Sequence, residues 1–120
     1  VTDYSAPLTY KNIEASILYS VDRMDELTKI FAGTADEYGR AEAAFKSAYA
    51  KSRLSARIEG PINGVKVTSD MAEDIATVDT EVERMAMEAA KAKNDSTRQA
   101  LMSVRSRLEV LRSLMASYRD

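Results

Sequence analysis

The chain has 120 residues, 45% hydrophobic and 30% charged, the balance of one folded domain and not of a disordered segment. It contains no Cys and no His, which removes disulfides, thiolate nucleophiles, zinc–sulfur sites, the usual general base and the commonest transition-metal ligand. Only four Gly and two Pro interrupt it, and the net charge is −2, so the inventory argues for a helical fold and against an all-β one.

The first helix is expected from about Thr9 to Phe31. Pro7 precedes it and Thr9 is its N-cap. Ile13, Ile17, Val21, Met24, Leu27 or Thr28, and Phe31 step by three and four and make one stripe. Ala32-Gly33-Thr34 ends it, with Gly33 as the residue after the cap. Thr34 then opens a second helix, because Thr34-x-x-Glu37 has the form of a capping box. That helix runs from about 35 to Ile58. Its stripe is Tyr38, Ala41, Phe45, Ala48 with Tyr49, Ser52 and Ile58, rich in small residues that permit close packing.

Residues 60–67 form the one clear loop. Gly60-Pro61 stops a helix, Asn63-Gly64 signals a tight turn, and Ile62 could pair with Val65 to Val67 as a short hairpin.

With Thr68 or Ser69 as N-cap, a long helix is expected from about 69 to 118. Asp70, Glu73 and Asp74 occupy its first turn, where the helix dipole favours negative charge. Met71, Ile75, Val78, Val82, Met85, Ala89 and Ala92 form a heptad seam. Leu101, Val104, Leu108, Leu111, Met115 and Tyr118 form a second seam out of register with the first. Between them, Lys93 to Thr97 are poor helix formers, so the helix either twists its apolar face around or kinks near Asn94 to Ser96. The lack of Gly and Pro there favours a continuous or kinked helix over a turn. A compact monomeric bundle turning at Asp95 is the alternative.

The expected architecture is therefore all-α: a single domain, an elongated helical hairpin or bundle with a long C-terminal helix. That helix is as long as the first two combined. Its second seam then lacks cover, and the chain should form a homo-oligomer through Leu101, Val104, Leu108, Leu111 and Met115.

No stretch approaches the ~20 apolar residues of a membrane span. Val1 to Pro7 lacks a basic segment followed by an apolar one, so no signal peptide is read, and the expected compartment is the cytoplasm.

Charge is segregated. Residues 61–90 hold two basic and seven acidic side chains, a net −5; residues 91–120 hold seven basic and three acidic, a net +4. The acidic run Asp70, Glu73, Asp74, Asp79, Glu81 and Glu83 reads as an N-terminal turn and a solvated face, since carboxylate metal sites in bundles usually add a Glu-x-x-His. Met71, Met85 and Met87 read as core filler. No cofactor, metal or catalytic residue is expected, and an enzyme is the least favoured class. Lys46, Lys51, Arg53 and Arg57 lie along the end of the second helix with Tyr49 among them. Cations that track a backbone beside a stacking aromatic suit single-stranded nucleic acid. They could equally pair with the acidic start of the long helix. Arg98, Arg105, Arg107, Arg112 and Arg119 offer a second supply of charge for a subunit rim, a partner surface or an extension of the same track.

Several strings resemble the UvsY-like recombination mediators of phages. Lys51-Ser52-Arg53-Leu54, followed by Gly60, resembles the Lys-x-Arg-Leu motif with which such mediators hold single-stranded DNA. Val78-Asp79-Thr80, Ala100-Leu101 with Val104-Arg105-Ser106-Arg107, and Leu18-Tyr19-Ser20 have counterparts in the same order, so the likeness spans about residues 9 to 118. The resemblance implies a ring-forming protein that binds single-stranded DNA, helps displace single-strand-binding protein and loads a RecA-like recombinase. It implies phosphate contacts at Lys51 and Arg53, with Lys46 and Arg57 auxiliary by proximity, and a host-cell cytoplasmic setting. The net acidic charge departs from that family's basic surface. The competing reading is a coiled-coil adaptor or inhibitor that acts through protein contacts alone. The discriminator is whether Lys51 and Arg53 are free or neutralised by Asp70 to Asp79.

Overall fold

A computed structural model describes residues 9–60 and 64–119. The fold is all-α, with a long C-terminal helix. Among the described residues there are three helices: α1 (Tyr10–Ile58), α2 (Ser69–Asp79) and α3 (Glu81–Arg119). The readings of Val1 to Pro7 and of Pro61, Ile62 and Asn63 lie outside the described residues.

Helix α1 corrects the expected break at Ala32-Gly33-Thr34, because it is unbroken over 49 residues. Its start is as expected: the Thr9 hydroxyl accepts from Asn12 N at 3.2 Å and the Thr9 carbonyl from Ile13 N at 2.9 Å. The reason for continuity lies in the register of its buried side. Ile13, Ile17, Ser20, Met24, Leu27, Phe31, Thr34, Tyr38, Ala41, Phe45, Ala48 and Ser52 alternate steps of four and three without slip, and each is buried or half-buried. Thr34 is an inward position of that seam and is buried, so it sits in the helix and not at a cap. Gly33 is exposed, with open space around it, and its helix penalty of about 1 kcal/mol is too small to interrupt the packed faces on either side. Ser20 and Ala56 take the inward places that size alone gave to Val21 and Ile58. Gly60 ends α1 in the left-handed region, φ +87°, which only glycine adopts freely.

The chain divides by contacts into two compact units, Val1–Gly33 with Asn94–Asp120, and Thr34–Lys93. In the first, the start of α1 lies beside the end of α3. Tyr10, Glu14, Ile17 and Leu18 face Arg112, Met115 and Ala116 across an open groove of about 520 Å³. Ile13, Leu27, Leu108 and Met115 are buried here. Each contributes roughly 1.5–3 kcal/mol through the apolar area it withdraws from water.

In the second unit, the later half of α1 pairs with α2 and the start of α3. The Ser52 hydroxyl donates to Asp79 Oδ2 at 2.8 Å, and Lys93 Nζ to Glu37 Oε2 at 3.3 Å. Moving back along α1 from Ser52 to Glu37 moves the partner forward from Asp79 to Lys93, so the elements run antiparallel. Ala56, Val67 and Ala72 form a small core with Met71 and Ile75 packed on it. Val65 makes an isolated β-bridge, and Gly64 takes φ +78°. Thr68 caps α2 by accepting from Met71 N at 3.2 Å.

The long helix expected over 69–118 is interrupted, at Thr80 and not near Asn94. Thr80 takes φ −109°, ψ 21°, and its hydroxyl donates to the Ala76 carbonyl at 2.6 Å. A Thr hydroxyl bonded back four residues competes with the backbone for that carbonyl and bends helices. Backbone bonding nonetheless passes through, from Thr80 N to Ala76 O at 3.0 Å and from Arg84 N to Thr80 O at 2.9 Å. Asn94 to Thr97 stay helical within α3.

The expected first seam of this segment also needs correcting. Val78, Val82 and Met85 are 73%, 76% and 59% exposed, whereas Ala72, Ala76 and Thr80 are buried and Met87 and Ala90 half-buried. Small inward residues let α2 approach Ser52 and Ala56 of α1 closely, and close packing with a hydrogen bond outweighs the burial of larger side chains.

Candidate nucleic-acid interface

The four cations expected to hold DNA all stand on the last turns of α1, but they do not form one free cluster. Lys46 Nζ lies 3.3 Å from Glu42 Oε1, one helical turn back. Arg53 is half-buried; its guanidinium donates to Ser69 Oγ at 3.0 Å and lies 3.6 Å from Glu73 Oε1, so it is directed at the start of α2. Lys51 and Arg57 are exposed and make no hydrogen bond or ion pair with any described residue. The expected discriminator therefore divides: Arg53 is neutralised by the acidic start of α2 and Lys51 is not.

Helical spacing explains the division. Lys51 and Arg53 are two residues apart, about 160° around the axis from each other, so a motif contiguous in sequence points in two directions. On the Lys51 side, Leu54 and Ile58 follow at three and seven positions, and both are exposed. Sequence alone does not single out that combination of a cation with apolar surface at the end of a helix, because Ile58 falls on the stripe expected to be buried and Leu54 enters only as part of the Lys-x-Arg-Leu string. Lys66, exposed after the Gly64 turn, is a further cation near this end in sequence order. Tyr49, the aromatic expected among the basic residues, is half-buried and packs on Phe45, ring centroids 6.0 Å apart at 48°.

The ion pairs are individually weak. Arg53 and Glu73 are both about half exposed, and Lys46 more so. Exposed pairs of this kind contribute little to stability, so a phosphate can displace their carboxylates. Glu42 is shifted: hydrogen bonds from the Tyr38 hydroxyl at 2.9 Å and from Lys46 hold its carboxyl below the ordinary value, helped by the charges of Lys46 and Lys91.

The residues expected to join subunits are used inside the chain. Leu108 and Met115 are buried, and Leu101, Val104 and Leu111 half-buried, on the inward side of α3 in the first unit. Within this unit the start of α1 lies against the seam and covers it. Of the second basic supply, Arg98 holds Asp95 at 3.5 Å, while Arg105 and Arg112 are exposed. Among the described residues no group of three or more acidic side chains is arranged to hold a metal ion, and no helix is long and apolar enough to cross a membrane. Comparison with family models, with characterised proteins and with solved structures finds no match to the chain.

Proposed function

We propose that the chain is a phage-type recombination mediator: it binds single-stranded DNA without catalysis and assists loading of a RecA-like recombinase against single-strand-binding protein. The observation that carries this reading is the end of α1. There the string resembling the mediators' DNA-holding motif presents an exposed, unpaired Lys51 beside exposed Leu54 and Ile58, with Arg57 at the edge. A cation for the phosphate next to apolar surface for a base is the pairing that sequence-tolerant strand binding uses. Arg53 and Lys46 add to it when phosphates displace Glu73 and Glu42. Because one chain offers few such contacts and is net acidic, useful affinity comes from several copies acting on one strand.

The test is fluorescence anisotropy of a labelled single-stranded oligonucleotide titrated with wild type and with Lys51→Ala/Arg53→Ala, mass being followed by light scattering. The mediator reading predicts binding by the wild type and at least a tenfold loss in the double variant at unchanged mass, on the order of 1–3 kcal/mol for two phosphate contacts. Equal binding by both proteins, or none by the wild type, rejects it.

Two observations favour a second reading, a helical adaptor acting through protein contacts alone. Arg53 is satisfied by Ser69 and Glu73, and the outward side of α2 and α3 exposes Val78, Val82 and Met85. Absence of DNA binding by well-folded protein selects it.

A further inference from the structure

Helix α2 and the start of α3 turn one side inward, through Ala72, Ala76, Thr80, Met87 and Ala90, and expose the opposite side. At about 100° per residue, Val78, Met85 and Ala92 stand at the middle of that outer side, with Val82 and Ala89 next to them. All five are exposed. A single exposed apolar side chain is ordinary, but three large ones on one stripe within eight positions form a patch of the kind that marks an interface. Steps of four and three give it the spacing of a coiled-coil seam, so the shape it accepts is a helix.

Charge along this side has one sign. Asp74, Glu81 and Glu88 are exposed and seven residues apart, and each precedes a central apolar residue by four, so they form a row along the stripe. None of these three side chains bonds or pairs with any described residue. Asp79 stands on the other flank, where it accepts from Ser52. The cations of the same stretch are engaged elsewhere: Arg84 is half-buried, Lys93 holds Glu37 of α1, and the charge of Lys91 acts on Glu42 of α1. A partner helix that matches this side therefore carries Lys or Arg along its own flank. A second copy of the chain matches poorly. Antiparallel pairing of the stripe with itself sets the acidic row against the same row. The outer side of α3 past Thr97 mixes Arg105 and Arg112 with exposed Glu109, and its Arg98 holds Asp95.

We propose that the side of α2 and α3 from Asp74 to Ala92 is a docking face for a basic amphipathic helix of another protein. The partner's apolar residues lie on Val78, Val82 and Met85. Its Lys or Arg, recurring every seven residues, reach Asp74, Glu81 and Glu88 while their stems cover the stripe. The contact runs ~27 Å along the helices, about five turns. Exposed Ala86, Ala89 and Ala92 make the later part of the face shallow, so the partner sets its bulkier apolar residues there. The face lies on other helices than the cations of α1, and the proposal holds whether or not the chain binds DNA.

The probe is a labelled synthetic helix of about 18 residues with Leu on one stripe and Lys on both flanks, together with a twin carrying Glu in place of every Lys. Fluorescence anisotropy against the full chain reads the affinity at low and high salt. The wild type binds the Lys helix, more weakly at high salt, and binds the Glu helix more weakly by on the order of tenfold. Val82→Gln/Met85→Gln, at exposed positions and with a good helix former, loses roughly tenfold for the Lys helix with circular dichroism unchanged. Glu81→Lys/Glu88→Lys reverses the preference and binds the Glu helix. No binding of the Lys helix by the wild type, equal binding of the two helices, affinity indifferent to Val82→Gln/Met85→Gln, or a preference that Glu81→Lys/Glu88→Lys leaves unchanged overturns the proposal. So does a wild-type mass above monomer, by light scattering, that falls in Val82→Gln/Met85→Gln, because a second copy then covers the stripe.

Discussion

Glu42 shows how single side chains tune this surface. Tyr38 and Lys46 bond its carboxylate, so the folded chain holds the Glu42 proton less tightly than the unfolded chain does. The resulting stability is present above the unfolded carboxyl pKa and is lost as pH falls through the lowered folded value. An NMR titration of the side-chain carboxyl should give a midpoint below that of an unfolded reference peptide; Tyr38→Phe, which removes the leading bond, should raise it. Ser20 makes the opposite case. Its hydroxyl is fully buried and has no hydrogen-bond partner. Removing an unsatisfied buried polar group relieves a desolvation penalty, so Ser20→Ala should stabilise the fold by about 1 kcal/mol, read from the urea midpoint. A lowered midpoint would mean that the hydroxyl is satisfied.

At the scale of elements, the unbroken α1 is the sharpest departure from the sequence reading. Gly33 and Thr34 carry real local signals, a cap glycine and a capping box, and each fails for a tertiary reason. The heptad seam crosses both without slipping, and Thr34 is needed inside it. Gly33→Ala therefore tests the helix directly. Alanine in an exposed helical site with open space should stabilise by roughly 0.5–1 kcal/mol, whereas at a left-handed cap it would destabilise. Thermal melts of the variant decide between them. The caps at Thr9 and Thr68 and the stop at Gly60 were legible because their chemistry is local. The inward side of α2 and early α3 was not, because side-chain size points to Val78, Val82 and Met85 whereas the packing buries Ala72, Ala76 and Thr80. A signal was available: the seam Leu101–Met115 read backwards in sevens passes Asn94 and reaches Met87 and Thr80, the positions that face inward. Polar residues at Asn94 and Thr97 hid it. The two places where sequence weakened the helices, Gly33-Thr34 and Lys93-Asn94, coincide with the boundaries between the compact units and not with helix ends.

For the whole molecule, charge decides more than hydrophobicity. The net −2 would discourage nucleic acid if it were spread evenly, but acidic and basic stretches are separated along the chain, and the end of α1 keeps cations that no carboxylate occupies. The candidate site was legible in sequence as residues, Lys46, Lys51, Arg53 and Arg57, but not as a surface. Which of them are paired depends on Glu73 and Ser69 arriving from α2, and on the angle that two residues of helix put between Lys51 and Arg53. The central claim is that exposed α1 cations meet phosphates of a single strand. Its most direct measurement is the salt dependence of single-stranded oligonucleotide affinity for the wild type and for Lys51→Ala and Arg57→Ala. The account predicts that log affinity falls linearly with log salt, with the slope reduced by about 0.7 for each contact removed. Affinity indifferent to salt, or slopes unchanged in both variants, would contradict it.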